Sequence, residues 1–193
     1  PGCQPLPLAG YEQALAWCDA ERASLLACVR SAAQTGHDHI AWQLPVALFN
    51  YFDLRKPKAE SIACARIALR AARRCGDRFG EAWVLDYLGC AYSGLWFTDA
   101  VDCWQQSLLI RRDIGDRLGE AAALNNIGAA YLAMDRCHDS LSCFRQALAT
   151  AREIHNQHGE MIALINLGEA HLKLGRSGDA IPVLQQALDL ARA

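Results

Sequence analysis

A spaced signature recurs three times along this chain: Leu85, Leu88, Gly89 and Tyr92, then Leu124, Ile127, Gly128 and Tyr131, then Leu164, Leu167, Gly168 and His171. The glycines step by 39 and then 40 residues. A second signature trails each one, at Ala100 and Trp104, Ser140 and Phe144, Ala180 and Leu184, with steps of 40 and 40. Residues spaced i, i+3, i+4 and i+7 share one face of a helix. The first signature therefore predicts a helix whose glycine lets a partner helix come close. A unit built this way cannot bury its own apolar face. It must stack on its neighbours, and the stack presents a grooved surface for binding rather than a pocket for chemistry.

Apolar residues recur at helical spacing almost throughout, and no segment alternates like a strand. The spacing predicts one or two helices over Tyr11–Ala33, followed by pairs: His39–Leu54 with Lys58–Arg74, Arg78–Ser93 with Thr98–Ile114, Arg117–Met134 with His138–Ile154, and His158–Leu174 with Ser177–Arg192. The first of these pairs is degenerate. Leu48 lies 40 before Leu88 and Cys64 lies 39 before Cys103, but Phe49 takes the glycine position, so this pair is expected to pack more widely. Asp116, Asp139 and Asp179 stand near helix starts, where a carboxylate satisfies free N–H groups. Gly115 and Gly175 read as C-terminal caps. Pro45 and Pro182 lie a few residues into their helices, which predicts a kink or a later start. The expected organisation is an N-terminal helical cap or linker over 1–37 and a repeat array over 38–193, in units 38–75, 76–114, 115–154 and 155–193. The chain opens Pro1-Gly2-Cys3 without Met and ends inside a helical pattern, and it reads as a piece of something longer.

Charge and motifs narrow the function. Nineteen Lys and Arg against 21 Asp and Glu give a net charge of −2 over 193 residues. That balance offers no electrostatic footprint for nucleic acid or an anionic membrane, so neither is expected as a direct partner. There is no phosphate loop, no H-E-x-x-H and no G-x-S-x-G, so no enzyme is expected and no cofactor. The nine cysteines contain no C-x2-C pair. Cys64, Cys103 and Cys143 fall at equivalent repeat positions, which predicts small buried side chains against a neighbouring helix. Free thiols in this number suit a reducing cytoplasm. The six histidines lack acidic or thiol companions at ligand spacing, so no metal is expected. Arg55, Lys56, Lys58, Arg70, Arg73 and Arg74 form the one basic cluster; a solvated helix face and a site for an acidic partner are both consistent with it.

Once the signature residues face the partner helix, the other face of each first helix is left to bind. It carries Trp83, Asp86, Tyr87 and Cys90, then Ala122, Asn125, Asn126, Ala129 and Ala133, then Ile162, Ile165, Asn166, Glu169 and Lys173. Gln43, Asn50 and Asp53 join from the degenerate unit. Stacking is expected to align these residues along a concave side. Asn126 and Asn166 are repeat equivalents, and an amide that both donates and accepts can hold an extended peptide's backbone. Each can equally bond a neighbouring helix or water. Tyr87, Glu169 and Lys173 are expected to tune which sequence is accepted.

The paired signatures resemble the tetratricopeptide (TPR) repeat over about Trp42–Ala193, and the Leu-Asn-Asn-Ile-Gly run at Leu124–Gly128 resembles the peptide-gripping repeats of kinesin light chains and bacterial Rap-type regulators. This resemblance implies an all-α solenoid of antiparallel helix pairs in a right-handed superhelix. The 39–40 residue repeat exceeds the usual 34, and the excess after the second signature, as in Leu108–Leu118, is expected to lengthen the second helix. Upstream, Ala16-Trp17-x-Asp19-Ala20-Glu21-Arg22, Ala41-Trp42-x-Leu44-Pro45 and Tyr51-Phe52-Asp53-Leu54-Arg55 resemble the segment joining ATPase to TPR array in actinobacterial regulators of the AfsR/SARP and NB-ARC (STAND) type. That resemblance implies the sensor end of a larger cytoplasmic transcriptional regulator. Its groove would take a protein segment, a peptide or upstream domains of the same polypeptide. A stand-alone adaptor holding a complex together is the alternative.

Overall fold

The computed structural model describes residues 10–55 and 57–192. Cys3 and Lys56, both named above, lie outside them. The described residues form ten α-helices: α1 Tyr11–Gln34, α2 Asp38–Ala47, α3 Phe49–Arg55, α4 Lys58–Arg74, α5 Arg78–Tyr92, α6 Phe97–Asp113, α7 Arg117–Ala133, α8 Cys137–Glu153, α9 Gln157–Lys173 and α10 Ser177–Arg192. They divide into two compact units, residues 1–76 and 77–193.

In the second unit α5 packs on α6, α7 on α8 and α9 on α10; α6 also packs on α7, and α8 on α9. This is an all-α solenoid of stacked pairs. The two signatures recur together because they touch. A Cβ on Gly128 would sit 2.5 Å from Phe144 Cε1, and one on Gly89 would sit 2.5 Å from Trp104 Nε1; one on Gly168 would overlap Leu184 in the same way. The absent side chain is what lets the large residue of the second helix seat against the first. Around this contact Trp104, Leu108, Leu124 and Ile127 join α6 to α7, and Leu141, Phe144 and Leu167 join α8 to α9.

Local chemistry sets the starts and stops. Asp77, Asp116 and Asn156 cap α5, α7 and α9 by accepting from the backbone N–H of Gly80, Gly119 and Gly159 at 2.8, 2.9 and 3.1 Å. Of the three aspartates expected at helix starts, only Asp116 is such a cap. Asp139 sits inside the first turn of α8, bonded to Arg136, and Asp179 inside the first turn of α10. Gly115 and Gly175 hold φ of 73° and 70°, the left-handed conformation that ends a helix. Asp135 and His155 adopt it without being glycine, at 58° and 53°. The second helix is the longer only in the first of these pairs, α5 with 15 residues and α6 with 17; α7 and α8 have 17 each, and α9 and α10 have 17 and 16.

In the first unit α2 packs on α4, and α1 packs on both. The helix expected over His39–Leu54 is split at Leu48 into α2 and α3. Pro45, which has no N–H for the Ala41 carbonyl, lies three residues before this break, and the Leu48 N–H still bonds the Leu44 carbonyl at 3.1 Å. Pro182, by contrast, is exposed inside an unbroken α10. Every other helix boundary departs from the sequence expectation by at most one residue. Asp19 on α1 accepts from Tyr51 Oη at 2.9 Å and Arg55 Nε at 3.0 Å on α3. Asp38 at the start of α2 pairs with Arg74 at the end of α4. Two of the runs that carry the regulator resemblance therefore meet through side chains, and their polar members tie helices together.

Candidate functional site

In the second unit α7 and α9 are in direct contact, and Arg111 on α6 links α5 to the start of α7 through Asp86 and Asp116. Much of their polarity is spent internally. Lys173 Nζ donates to the Leu132 carbonyl and to Asp135 Oδ1, each at 2.9 Å, and so joins α9 to α7. Asn166 Nδ2 donates to Asn125 Oδ1 at 3.4 Å across the same pair. Lys173 and Asn166 are thus repeat-to-repeat ties rather than open groove groups. Asn126, the repeat equivalent of Asn166, is half-buried and makes no side-chain hydrogen bond among the described residues.

Asp86 is likewise engaged. It pairs through Oδ2 with Arg111, whose Nε lies 3.1 Å away, and Arg111 also bonds Asp116, the α7 cap. Arg111 is 3% exposed. Burial pushes the Asp86 carboxyl above its ordinary range against the opposing pull of Arg111. Gly119 has no Cβ because Arg111 occupies that space. Tyr87 is only 4% exposed and does not line the groove, which corrects its expected role in tuning specificity. Its ring is larger than the amides at the equivalent positions and lies under the surface. Cys90 is half-buried against the α6–α7 core.

The open surface is largely apolar. Trp83 is 44% exposed, with the Arg111 guanidinium 5.5 Å from its ring centre, and Phe79, 50% exposed, stands edge-on to it at 6.3 Å. Leu118 and Ile165 are exposed, as are Ala122, Ala129, Ala133 and Glu169. The sequence reading began this face at Trp83. Phe79 and Leu118 lie one turn earlier on the same stripe, and the regular i−4 spacing was the signal for them. Arg111 carried no such signal, since nothing in its spacing marks a charged residue as core.

In the first unit Gln43, Asn50 and Asp53 are exposed on α2 and α3. The basic cluster there is partly consumed, because Arg55 and Arg74 are paired with Asp19 and Asp38, while Arg70 is exposed. No group of three His, Cys, Asp or Glu that could hold a metal occurs among the described residues, and no described helix is long and apolar enough to cross a membrane.

Stacked helix pairs with a lining of first helices define an α-solenoid of the protein-interaction class. The family model of the tetratricopeptide repeat matches residues 97–153 and 119–193, half of the chain, and the chain belongs to that family. Solved structures share the fold at low identity. BtubC from P. vanneervenii superposes with a TM-score of 0.79 at 16% identity, over 94% of this chain and 76% of that one. The Signal Transduction ATPase with Numerous Domains (STAND) protein with a tetratricopeptide repeat sensor, from Pyrococcus horikoshii, gives 0.72 at 17% identity, over 79% of this chain and 24% of that one. A protein of nearly identical TPR-like repeats from Podospora anserina gives 0.61 at 15% identity, over 88% and 94%. No curated protein sequence matches the chain.

Proposed function

We propose that the face formed by α5, α7 and α9 binds a protein segment or peptide, and that the chain is the interaction and sensing end of a larger cytoplasmic regulator. The observation that carries the first part is the open stripe of Phe79, Trp83, Leu118 and Ile165 on a face that repeat stacking leaves uncovered. Large apolar side chains exposed together mark a binding surface more often than a solvated one. Support for the second part comes from the Asp19 and Tyr51–Arg55 runs, which resemble the linker of AfsR/SARP and STAND regulators, and from likeness to the repeat portion of a STAND protein. An adaptor that only holds a complex together would use the same face.

The test begins with a partner captured from the source cell. The double variant Trp83→Ala, Asn126→Ala should weaken binding at least about tenfold while the helical content is unchanged. Retained affinity in that variant, with loss on Arg70→Glu, Arg73→Glu, would place the site on α4 and reject the groove. A phosphate loop upstream in the full-length sequence would favour the regulator over the adaptor.

A further inference from the structure

The part of the groove that its own polar groups leave open has a definite chemistry. On the α7–α9 side, Lys173, Asn166 and Asn125 are bonded to one another's helices. The open part lies toward the starts of α5 and α7, where Phe79, Trp83 and Leu118 are all half or nearly half exposed. They are connected through Arg111, which lies over Trp83 and fills the space beside Gly119, the residue after Leu118.

In the segment that carries this apolar pad, residues 77–120, four arginines and no lysine stand against eight Asp and Glu. All four arginines are already paired: Arg78 with Glu81 at 2.7 Å, Arg111 with Asp86 and Asp116, Arg112 with Glu120 at 2.7 Å, and Arg117 with Glu120 and Glu153. One guanidinium shared between Asp86 and Asp116 leaves that group with a net negative charge. Asp86 Oδ1 is buried without a hydrogen-bond partner. Its repeat equivalent, Asn125 Oδ1, accepts from Asn166; the matching donor for Asp86 is Asn126, which makes no such bond.

We propose that this end of the groove binds a segment in which a large apolar side chain stands beside a lysine or arginine. The inference rests on the groove being the binding face. The apolar side chain covers Phe79, Trp83 and Leu118 and removes their surface from water. The neighbouring cation meets the Asp86–Arg111–Asp116 group, in which two carboxylates share one guanidinium. An acidic segment would find no unpaired cation in residues 77–120 and would face like charge at close range.

The probes are three short fluorescein-labelled peptides of equal length, built from Leu and Lys, from Leu and Glu, and from Ser and Lys, titrated by anisotropy near physiological salt. The Leu/Lys peptide should bind at least about tenfold more tightly than either other peptide. Trp83→Ala and Leu118→Ser, both at exposed positions, should each weaken it at least about fivefold, with circular dichroism unchanged. Equal or tighter binding of the Leu/Glu peptide, lost in Trp83→Ala, overturns the charge preference but leaves the groove as the site. Equal binding of the Ser/Lys peptide overturns the apolar anchor. Leu/Lys binding indifferent to both variants overturns this inference and the groove reading together. No Leu/Lys binding below about 1 mM overturns the inference alone, since the captured partner tests the groove separately.

Discussion

Gly128 and Phe144 show how tightly single side chains are constrained, because a methyl group at Gly128 has no room in front of the ring. Gly128→Ala should therefore destabilise by about 1–3 kcal/mol through overpacking. Leu167→Ala, at a position 3% exposed, should cost about 2–5 kcal/mol through transfer and cavity terms. Asn126→Ala should cost under about 1 kcal/mol, since its amide has no bond to lose. Urea unfolding checks all three, and equal losses would refute the assignment of faces. The thiols follow burial in the same way. Cys64 is buried with its pKa pushed up to about 11, and Cys103 is buried, whereas Cys28 is exposed. Cys143 is only half-buried, not the buried equivalent that its spacing predicted. Among the described cysteines, native labelling should modify Cys28 first and Cys64 and Cys103 last. The glycine contacts were legible in the sequence because both partners recur at one period. The tie from Lys173 to the Leu132 carbonyl was not, because it ends on a backbone atom one repeat away.

Helices and turns were legible where the signal is local. Heptad-like spacing and glycine turns place nearly every boundary, and the failures have local causes. One predicted helix is divided at Leu48, three residues after Pro45, and the caps Asp77 and Asn156 were hidden because Asp139 and Asp179 look equally suitable. A recurring Asp or Asn three residues before Gly-Glu distinguishes the true caps. At the outer end, Ile181 on α10 is 67% exposed where its equivalent Leu141 on α8 is 3% exposed, because α9 covers α8. Ion pairs between helices give a pH prediction. Hydrogen bonds from Arg74, and then its charge, hold the Asp38 carboxyl below its usual value. A carboxyl whose folded pKa is lowered stabilises the fold above its unfolded pKa of about 3.9, and that contribution is lost as pH falls through the folded value. The melting-temperature gap between wild type and Asp38→Asn should be open at pH 7 and close progressively below about pH 4. A gap unchanged at pH 2.5 would show that the ion pair is not its source.

Over the whole molecule, the small net charge conceals a division. Residues 1–76 carry nine Lys and Arg against six Asp and Glu, and residues 77–193 carry ten against fifteen. The overall balance could not show that residues 77–193 form the acidic unit. The stack was legible because repetition is a sequence property. Which groove groups remain open was not, because it depends on contacts between repeats. If partners bind the face of α5, α7 and α9, hydrogen–deuterium exchange with the captured partner present should slow in those three helices, most strongly near the starts of α5 and α7. Protection confined to α6, α8 or α4 would refute binding there.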